Sequence, residues 1–175
     1  GVLVPRPETE LLVEEALARL SPSDAGHRGA TEPAGAAPPA DARIADVGTG
    51  SGCVSVALAR WLPGAVVIAI DASAEALAVA RRNTERHDVS GRVRFVRADV
   101  LAGVRGPFDA IVSNPPYVPA ADIAGLQPEV RDHEPPQALA GGDDGLDLIR
   151  RLVPAAAAAL GPGGWLLFEF GFGQV

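Results

Sequence analysis

The sequence predicts a doubly wound α/β fold with a mainly parallel sheet, and three observations support this prediction. Apolar runs such as residues 65–70 (AVVIAI) are continuous, which is typical of strands buried on both faces. These runs alternate along the chain with segments of helical periodicity. A glycine-rich turn, residues 48–52, joins the first run to the helix that follows it.

The chain opens with a predicted amphipathic helix over residues 7–20. Pro7 suits the first helical position, where a missing N–H has no cost. Apolar side chains recur on one face of the segment: Leu12, Val13, Ala16, Leu17 and Leu20. Residues 21–41 are rich in Pro, Gly and Ala without an apolar period, so we predict a flexible linker or surface insertion. Because position 1 is not Met, we expect the chain to begin inside a longer protein or after a removed segment.

Residues 42–175 carry the predicted α/β core. Strands are expected at residues 43–47, 65–70, 92–96, 108–112 and 165–170, and helices at residues 53–62, 74–87 and 146–160. Ser73 and Asp144 are the expected caps of the second and third of these helices. The Gly-Pro-Gly-Gly run at 161–164 predicts a turn that ends the last helix, and residues 113–144 are expected to be irregular.

Composition excludes several classes of protein. Cys53 is the sole cysteine, so no disulfide framework is possible, and a reducing cytoplasm is the expected compartment. The three histidines have no ligand spacing, and we expect no metal site. No run of 18 apolar residues is present, so we expect no membrane-spanning helix. A net charge of −7 argues against a dedicated nucleic-acid binder, which usually carries a basic stripe.

The turn Asp46-Val47-Gly48-Thr49-Gly50-Ser51-Gly52 predicts a ligand site at the start of a helix. Glycines let the chain turn tightly and let a ligand approach bare main chain there. The spacing is GxGxG, with Cys53 where a dinucleotide fingerprint has its third Gly or Ala, and no P-loop motif occurs. A glycine-rich turn alone is weak evidence, because a purely structural turn has the same composition.

Three carboxylates end three successive predicted strands, and this pattern strengthens the prediction. Asp71, 21 residues after Gly50, can accept hydrogen bonds from both hydroxyls of a ribose, and Asp99 can accept from an exocyclic amine such as adenine N6. The third carboxylate is Asp46. Each alone could be a solvated loop residue or a helix cap, but together they mark the edge of an open α/β sheet where ligands bind.

This arrangement resembles the class I S-adenosylmethionine-dependent methyltransferases, which have a Rossmann-like core. The resemblance implies that the glycine turn holds the methionine moiety, the acid ending strand two the ribose, and the acid after strand three the adenine. The implied cofactor-binding residues are Asp46, Gly48, Thr49, Gly50, Gly52, Asp71, Asp99, Val100 and Asn114. Val100 stands where such enzymes often carry a bulky aromatic residue beside the adenine.

Asn114-Pro115-Pro116-Tyr117 follows the fourth predicted strand, and its chemistry suits methylation of a planar NH₂ group. The nitrogen lone pair of such a group is delocalised and must be turned out of the π system before it can attack a methyl. The Asn114 side-chain carbonyl and the Pro115 backbone carbonyl can each accept one N–H, and the two prolines fix these acceptors in advance. Tyr117 offers a flat face for stacking. We predict Asn114, Pro115 and Tyr117 as catalytic, and these three with Pro116 as substrate-binding.

Two further blocks decide which NH₂ group is the expected acceptor. GVLVPRPETELLVE at the start and EVRDHEPPQAL with GGDDGLD later closely resemble the HemK-type release-factor glutamine methyltransferases. The resemblance implies methyl transfer to the side-chain amide of the glutamine in the Gly-Gly-Gln loop of bacterial release factors. It also implies a substrate-side role for Arg6 and Glu134, an N-terminal helical domain before residues 1–20, and further strands after Val175. Arg6 as half of a surface ion pair and Glu134 as a loop cap are the structural alternatives.

Two alternatives to this function stay open from the sequence. Several families that methylate adenine N6 or guanine N2 share the Asn-Pro-Pro-Tyr motif, so a DNA or RNA amino-methyltransferase is the second candidate; the acidic charge and the 5% content of aromatic residues oppose it. A catalytically silent cofactor-binding module is the third.

Overall fold

The computed structural model describes residue 2, residues 7–21 and residues 41–174. Helix α1 (Pro7–Leu20) precedes the core, which runs β1 (Arg43–Val47), α2 (Cys53–Trp61), β2 (Val66–Asp71), α3 (Ala74–Arg86), β3 (Val93–Arg97), β4 (Phe108–Ser113), α4 (Pro128–Arg131), α5 (Pro136–Leu139), α6 (Asp147–Ala159) and β5 (Leu160–Phe168), with 3₁₀ turns at Ser90–Arg92 and Ile123–Gly125. Arg6 and most of the predicted linker, residues 22–40, lie outside the described residues.

The five strands form one parallel sheet in the order β3-β2-β1-β4-β5. Strand β1 pairs with β2 on one side and with β4 on the other, so the chain reverses its winding direction at β1. A crevice opens at such a switch point beyond the carboxyl ends of the strands. The predicted doubly wound α/β fold is confirmed.

Successive strand residues point to opposite faces of the sheet, and both faces are covered. Ile44 and Val67 belong to a core cluster that also holds the apolar faces of α1 and α2, including Leu12 and Leu58. The next residues along the two strands, Ala45 and Ile68, belong to a second cluster with Leu152 and Ala156 of α6. Burial on both faces explains why the strand segments read as continuous apolar runs.

The last strand differs from the prediction. The turn expected at residues 161–164 lies inside β5, which begins at Leu160 rather than Trp165. Phe108 pairs with Leu160 but Ala110 pairs with Trp165, so β5 has extra residues between two consecutive pairing positions. The Gly-Pro-Gly-Gly run therefore forms a bulge in a parallel ladder, which glycine and proline tolerate.

The segment 113–144 is also more ordered than predicted, since it contains α4 and α5. Ser73 caps α3 as predicted, its hydroxyl accepting the Ala76 N–H at 3.2 Å. Asp144 is not the N-cap but lies two residues before it: its carboxylate accepts the N–H of Leu146, and Leu146 itself is the N-cap of α6. None of the helices in the described ranges is both long and apolar enough to cross a lipid bilayer.

Candidate active site

A cavity of about 250 Å³, called the edge cavity below, opens at the carboxyl edge of the sheet. It brings together eight of the nine residues predicted to bind a cofactor: Asp46, Gly48, Thr49, Gly50, Asp71, Asp99, Val100 and Asn114. Their convergence follows from parallel pairing, because the ends of β1, β2 and β4 lie side by side.

Gly52 does not line the edge cavity. It has φ of +78°, and a Cβ there would lie 2.8 Å from the Cβ of Ala80. The structure therefore gives Gly52 a packing role between the start of α2 and helix α3, and its predicted contact with a cofactor stays a prediction. Gly48, with φ of +73°, does face the cavity, where a Cβ would lie 4.0 Å from the backbone oxygen of Asn114. A side chain at Gly48 would therefore narrow the gap between the turn and Asn114.

Asp46 is a buried carboxylate with only 2% of its surface exposed. One of its oxygens accepts three hydrogen bonds: from the Thr49 hydroxyl at 2.7 Å, the Ser55 hydroxyl at 2.6 Å and the Ser55 N–H at 3.1 Å. Burial raises the pKa of Asp46, and the hydrogen bonds from Ser55 and Thr49 only partly oppose that effect. The charge of Asp71 raises the pKa further. A cation in the edge cavity would therefore favour the ionised form of Asp46.

Asp71 ties the glycine turn to the end of β2. One carboxylate oxygen accepts the N–H of Gly50 at 2.9 Å, and the other accepts the N–H of Ser73 at 2.8 Å. Each oxygen keeps a second lone pair. The carboxylate is thus held in place by main-chain donors and can still accept two hydroxyl groups from a ligand.

Asp99 and Val100 form the far end of the edge cavity. The Asp99 carboxylate is 66% exposed and pairs with Arg151 of α6. Exposed ion pairs contribute only about 0–1 kcal/mol, so a ligand can replace this one at small cost. Val100 is buried and has φ of +54°, a left-handed conformation that costs a branched residue about 1–3 kcal/mol. This strained backbone holds an apolar side chain against the cavity.

The Asn-Pro-Pro-Tyr segment leaves the sheet directly after β4. The Ser113 hydroxyl donates to the carbonyl of Val47 at 2.8 Å, which fixes the end of β4 beside that of β1. The side-chain N–H of Asn114 donates to the hydroxyl of Thr9 in α1 at 3.1 Å. The Asn114 carbonyl oxygen is therefore the end of this amide that is left for a ligand. Pro115 is buried, and Pro116 lines the edge cavity.

A second cavity of about 280 Å³, called the loop cavity below, is also lined by this segment. It is lined by Asn114, Pro115, Tyr117, Val118, Leu126, Gln127, Val130, Ala138 and Leu139. Asn114 and Ala138 line both cavities. Asn114 therefore lies where a cavity with three carboxylates meets a mainly apolar one, and Pro115 and Tyr117 line the second. These three residues are called the wall below.

Residues 141–145 (GGDDG) pack against the backbone of Tyr117, at the end of the wall. Gly145 has φ of +80°, and a Cβ there would lie 2.2 Å from the carbonyl oxygen of Tyr117, so only glycine fits. The Gln174 side-chain N–H group donates to that same carbonyl at 2.9 Å and to the Asp144 carbonyl at 3.0 Å, while its oxygen accepts the Gly171 N–H at 2.7 Å. One side chain thus joins three segments around Tyr117.

The predicted substrate-side roles of Arg6 and Glu134 are not tested by the described residues. Arg6 lies outside the described residues, and Glu134 lines neither cavity although its neighbour Pro135 lines the edge cavity, so both substrate-side roles stay predictions. Thr9, Gln137 and Gln174 were missed. The only signal for Thr9 and Gln137 was their place in the two blocks that carry the family resemblance. In the described part of the chain, no three His, Cys, Asp or Glu side chains cluster as metal ligands would.

Comparison with protein families matches residues 35–125 to the methyltransferase small domain. The chain belongs to this methyltransferase family. The chain is 48% identical over 175 residues to the release factor glutamine methyltransferase of Geobacter sulfurreducens, covering 99% of this chain and 55% of that protein. It is 50% identical over 173 residues to the protein of the same name from Chlorobaculum tepidum, covering 96% and 55%. The resemblance predicted from the sequence is confirmed, and the chain spans about half the length of these curated relatives.

Solved structures of other proteins share the fold. The ribosomal protein L11 methylase of Lactobacillus delbrueckii subsp. bulgaricus superposes with a TM-score of 0.59 at 22% identity, covering 96% of this chain and 62% of that one. TrmN from Thermus thermophilus superposes with a TM-score of 0.53 at 29% identity, covering 73% and 33%. The fold of this chain is therefore shared with a protein whose name gives ribosomal protein L11 as its acceptor.

Proposed function

We propose that this methyltransferase chain carries the catalytic core of an S-adenosylmethionine-dependent enzyme that methylates the side-chain amide nitrogen of glutamine in peptide-chain release factors. The observation that carries the proposal is the position of Asn114, which lines both cavities. A methyl donor in the edge cavity and an amide in the loop cavity would meet at that residue. The identity to proteins named release factor glutamine methyltransferase supports the choice of acceptor.

The edge cavity fits S-adenosylmethionine by the chemistry of its lining. Asp71 would accept the ribose hydroxyls, Asp99 the adenine amine, and Asp46 would face the cationic methionine end. Val100, Ala98 and Leu148 supply apolar surface for a planar base. The bare main chain at Gly48 leaves the space next to Asn114 open. When bound, the cofactor supplies an electrophilic sulfonium methyl group.

The residues of the wall would prepare the acceptor amide. An amide nitrogen is a poor nucleophile because its lone pair is delocalised into the carbonyl. The Asn114 side-chain oxygen would accept one N–H and the Pro115 carbonyl the other, which turns the lone pair away from the amide plane and towards the edge cavity. Both acceptors are fixed in advance, Asn114 by Thr9 and Pro115 by its ring and burial, so little ordering is needed at the moment of reaction.

Proton removal needs no strong base in this scheme. The amide N–H becomes acidic only once the nitrogen has gained the methyl group, and its proton can then leave to water. Positioning and electrostatics do most of the catalysis. Tyr117, which lines the loop cavity, would stack on the planar amide.

A methyl-transfer assay with labelled cofactor tests the proposal. Purified protein is offered release factor, the same factor with its Gly-Gly-Gln glutamine changed to alanine, and DNA. We expect label in the intact factor alone, at a single glutamine identified by mass spectrometry. Equal labelling of the glutamine-less factor, or labelling of DNA, would reject the proposed acceptor. Calorimetric binding of the cofactor without transfer to any acceptor would indicate a silent binding module.

A further inference from the structure

The Asn114 side chain is held by a residue from a distant part of the chain. Its amide N–H donates to the Thr9 hydroxyl at 3.1 Å, and 105 residues separate the two positions. Thr9 is only 5% exposed, lies in the first turns of α1 and lines the edge cavity next to Asn114. A buried hydroxyl in this place is costly unless it has a polar partner, and Asn114 is such a partner.

The orientation of this amide decides whether the site can work. An asparagine side chain has an accepting end and a donating end of nearly the same shape. With the oxygen towards the acceptor, Asn114 takes a hydrogen bond from the NH₂ group that is to be methylated. With the amide flipped, its own NH₂ would meet the acceptor NH₂, and two donors would face each other. In the structure the nitrogen end of Asn114 donates to Thr9, which is the first orientation, and this hydrogen bond fixes the position of the side chain.

We propose that Thr9 is a positioning residue that holds the Asn114 carbonyl towards the acceptor amide. The inference rests on the proposed function, and it gives a chemical reason for a threonine in the PRPETE block. Thr9 acts only through Asn114 in this scheme and touches no reacting atom. A structural role, in which Thr9 merely packs α1 against the core, predicts a loss of stability without a specific effect on turnover.

The variant that separates these roles is Thr9→Val, which keeps the shape of the side chain and removes its hydroxyl. Thr9→Ser keeps the hydroxyl and removes a methyl group. The chain offers a matched control in Thr84, a fully buried threonine of α3 whose hydroxyl donates to the Arg81 carbonyl at 2.8 Å, away from both cavities. Thr84→Val makes the same chemical change in a comparable environment and should leave turnover unaltered.

We expect Thr9→Val to lower kcat on release factor by about 5- to 50-fold, the range for losing one orienting hydrogen bond, with the cofactor Kd within about 2-fold. Thr9→Ser should recover most of the rate. In the Asn114→Ala background the Thr9→Val change should have no further effect on kcat, because the Asn114 side chain that Thr9 positions is absent. Unchanged kcat in Thr9→Val, or a full additional loss in the double variant, would overturn the proposal.

NMR can test the contact between Thr9 and Asn114 without measuring activity. In ¹⁵N NMR spectra the Asn114 side-chain NH₂ signals, assigned by their loss in Asn114→Asp, should show a slowly exchanging proton in the wild type and in Thr9→Ser. That protection should vanish in Thr9→Val and persist in Thr84→Val. If the wild type methylates no release factor, the proposed function fails and the NMR comparison still tests the contact. Equal exchange in the wild type and Thr9→Val would reject the contact even in an active enzyme.

Discussion

The edge cavity and the loop cavity share Asn114 but are built in different ways. The edge cavity is formed by strand ends and by a glycine turn whose carboxylate partner, Asp71, is held by main-chain donors. The loop cavity is formed by a segment between β4 and α6 that is joined to the rest by a few hydrogen bonds, among them those of Gln174. The first is fixed by the sheet, and the second by contacts between loops.

Because of this difference, the site that would bind the methyl donor (the donor half) and the site that would bind the methyl acceptor (the acceptor half) can change independently. Residues that end parallel strands are fixed in position by the ladder, so the donor half can stay the same across enzymes with different acceptors. The loops of the acceptor half can vary without disturbing the sheet. Substitutions of the strand-end carboxylates in the edge cavity should therefore act on cofactor affinity. Substitutions around the loop cavity, or at residues that act through Asn114, should act on turnover.

Asn114→Ala should have the largest effect, because the residue belongs to both cavities. We expect a fall in kcat of about 10²–10³, equivalent to about 3–4 kcal/mol, as for loss of one preorganised polar partner. The cofactor Kd should change by less than about 5-fold, since the edge cavity keeps its three carboxylates. Single-turnover kinetics and calorimetry measure the two quantities. Turnover close to that of the wild type would remove Asn114 from the mechanism.

Asp71→Ala should have the second largest effect, and the effect should be on binding of the methyl donor. The change removes the predicted ribose acceptor and also releases the N–H groups of Gly50 and Ser73. Loss of a charge-assisted hydrogen bond costs about 1.5–3 kcal/mol, so we expect the cofactor Kd to rise by at least about 10- to 100-fold. The kcat at saturating cofactor should fall much less. A large kcat defect with unchanged Kd would contradict the division between the two cavities.

Gln174→Ala should do the opposite of Asp71→Ala: it should lower kcat and leave the cofactor Kd nearly unchanged, and the effect should be smaller. It removes the hydrogen bonds to Tyr117, Asp144 and Gly171, so the backbone of Tyr117 is held less firmly. We expect about 1–2 kcal/mol lower stability and a fall in kcat of about 10-fold, while the cofactor Kd stays within about 2-fold. Thermal unfolding and kinetics on release factor measure these changes. Weaker cofactor binding than in Asp71→Ala would show that the two regions are coupled.

The same contrast explains what could be predicted from the sequence. Asp46, Asp71 and Asp99 were identified because each ends an apolar run, and parallel pairing brings such residues together. Thr9 and Gln174 were not, because their partners lie 105 and 57 residues away and no local pattern encodes those contacts. The bulge in β5 was missed for a related reason: Gly-Pro-Gly-Gly has the composition of a turn, and only the pairing with β4 shows that the strand continues.

The smallest expected effect is a pH dependence that should be confined to the donor side. Burial raises the pKa of Asp46 above the value it has in the unfolded chain. Between those two values the folded protein holds a proton that the unfolded chain has released, so the free energy of unfolding should fall as pH rises, by at most about 1.4 kcal/mol per pH unit. Asp46→Asn should remove that slope and become more stable relative to the wild type as pH increases, which urea unfolding at several pH values measures.

Cofactor binding should respond to the same group with the opposite sign. A cation near Asp46 favours the ionised carboxylate, so cofactor affinity should increase with pH through the raised pKa in the wild type and stay flat in Asp46→Asn. The two groups of the wall that would bind the acceptor amide, the Asn114 side-chain amide and the Pro115 carbonyl, carry no titrating charge. Calorimetry across this pH range measures the cofactor affinity. Gln174→Ala is the control from the acceptor side, and its cofactor affinity should change with pH as steeply as that of the wild type. A slope that survives in Asp46→Asn would mean that another group in the edge cavity senses the cofactor charge.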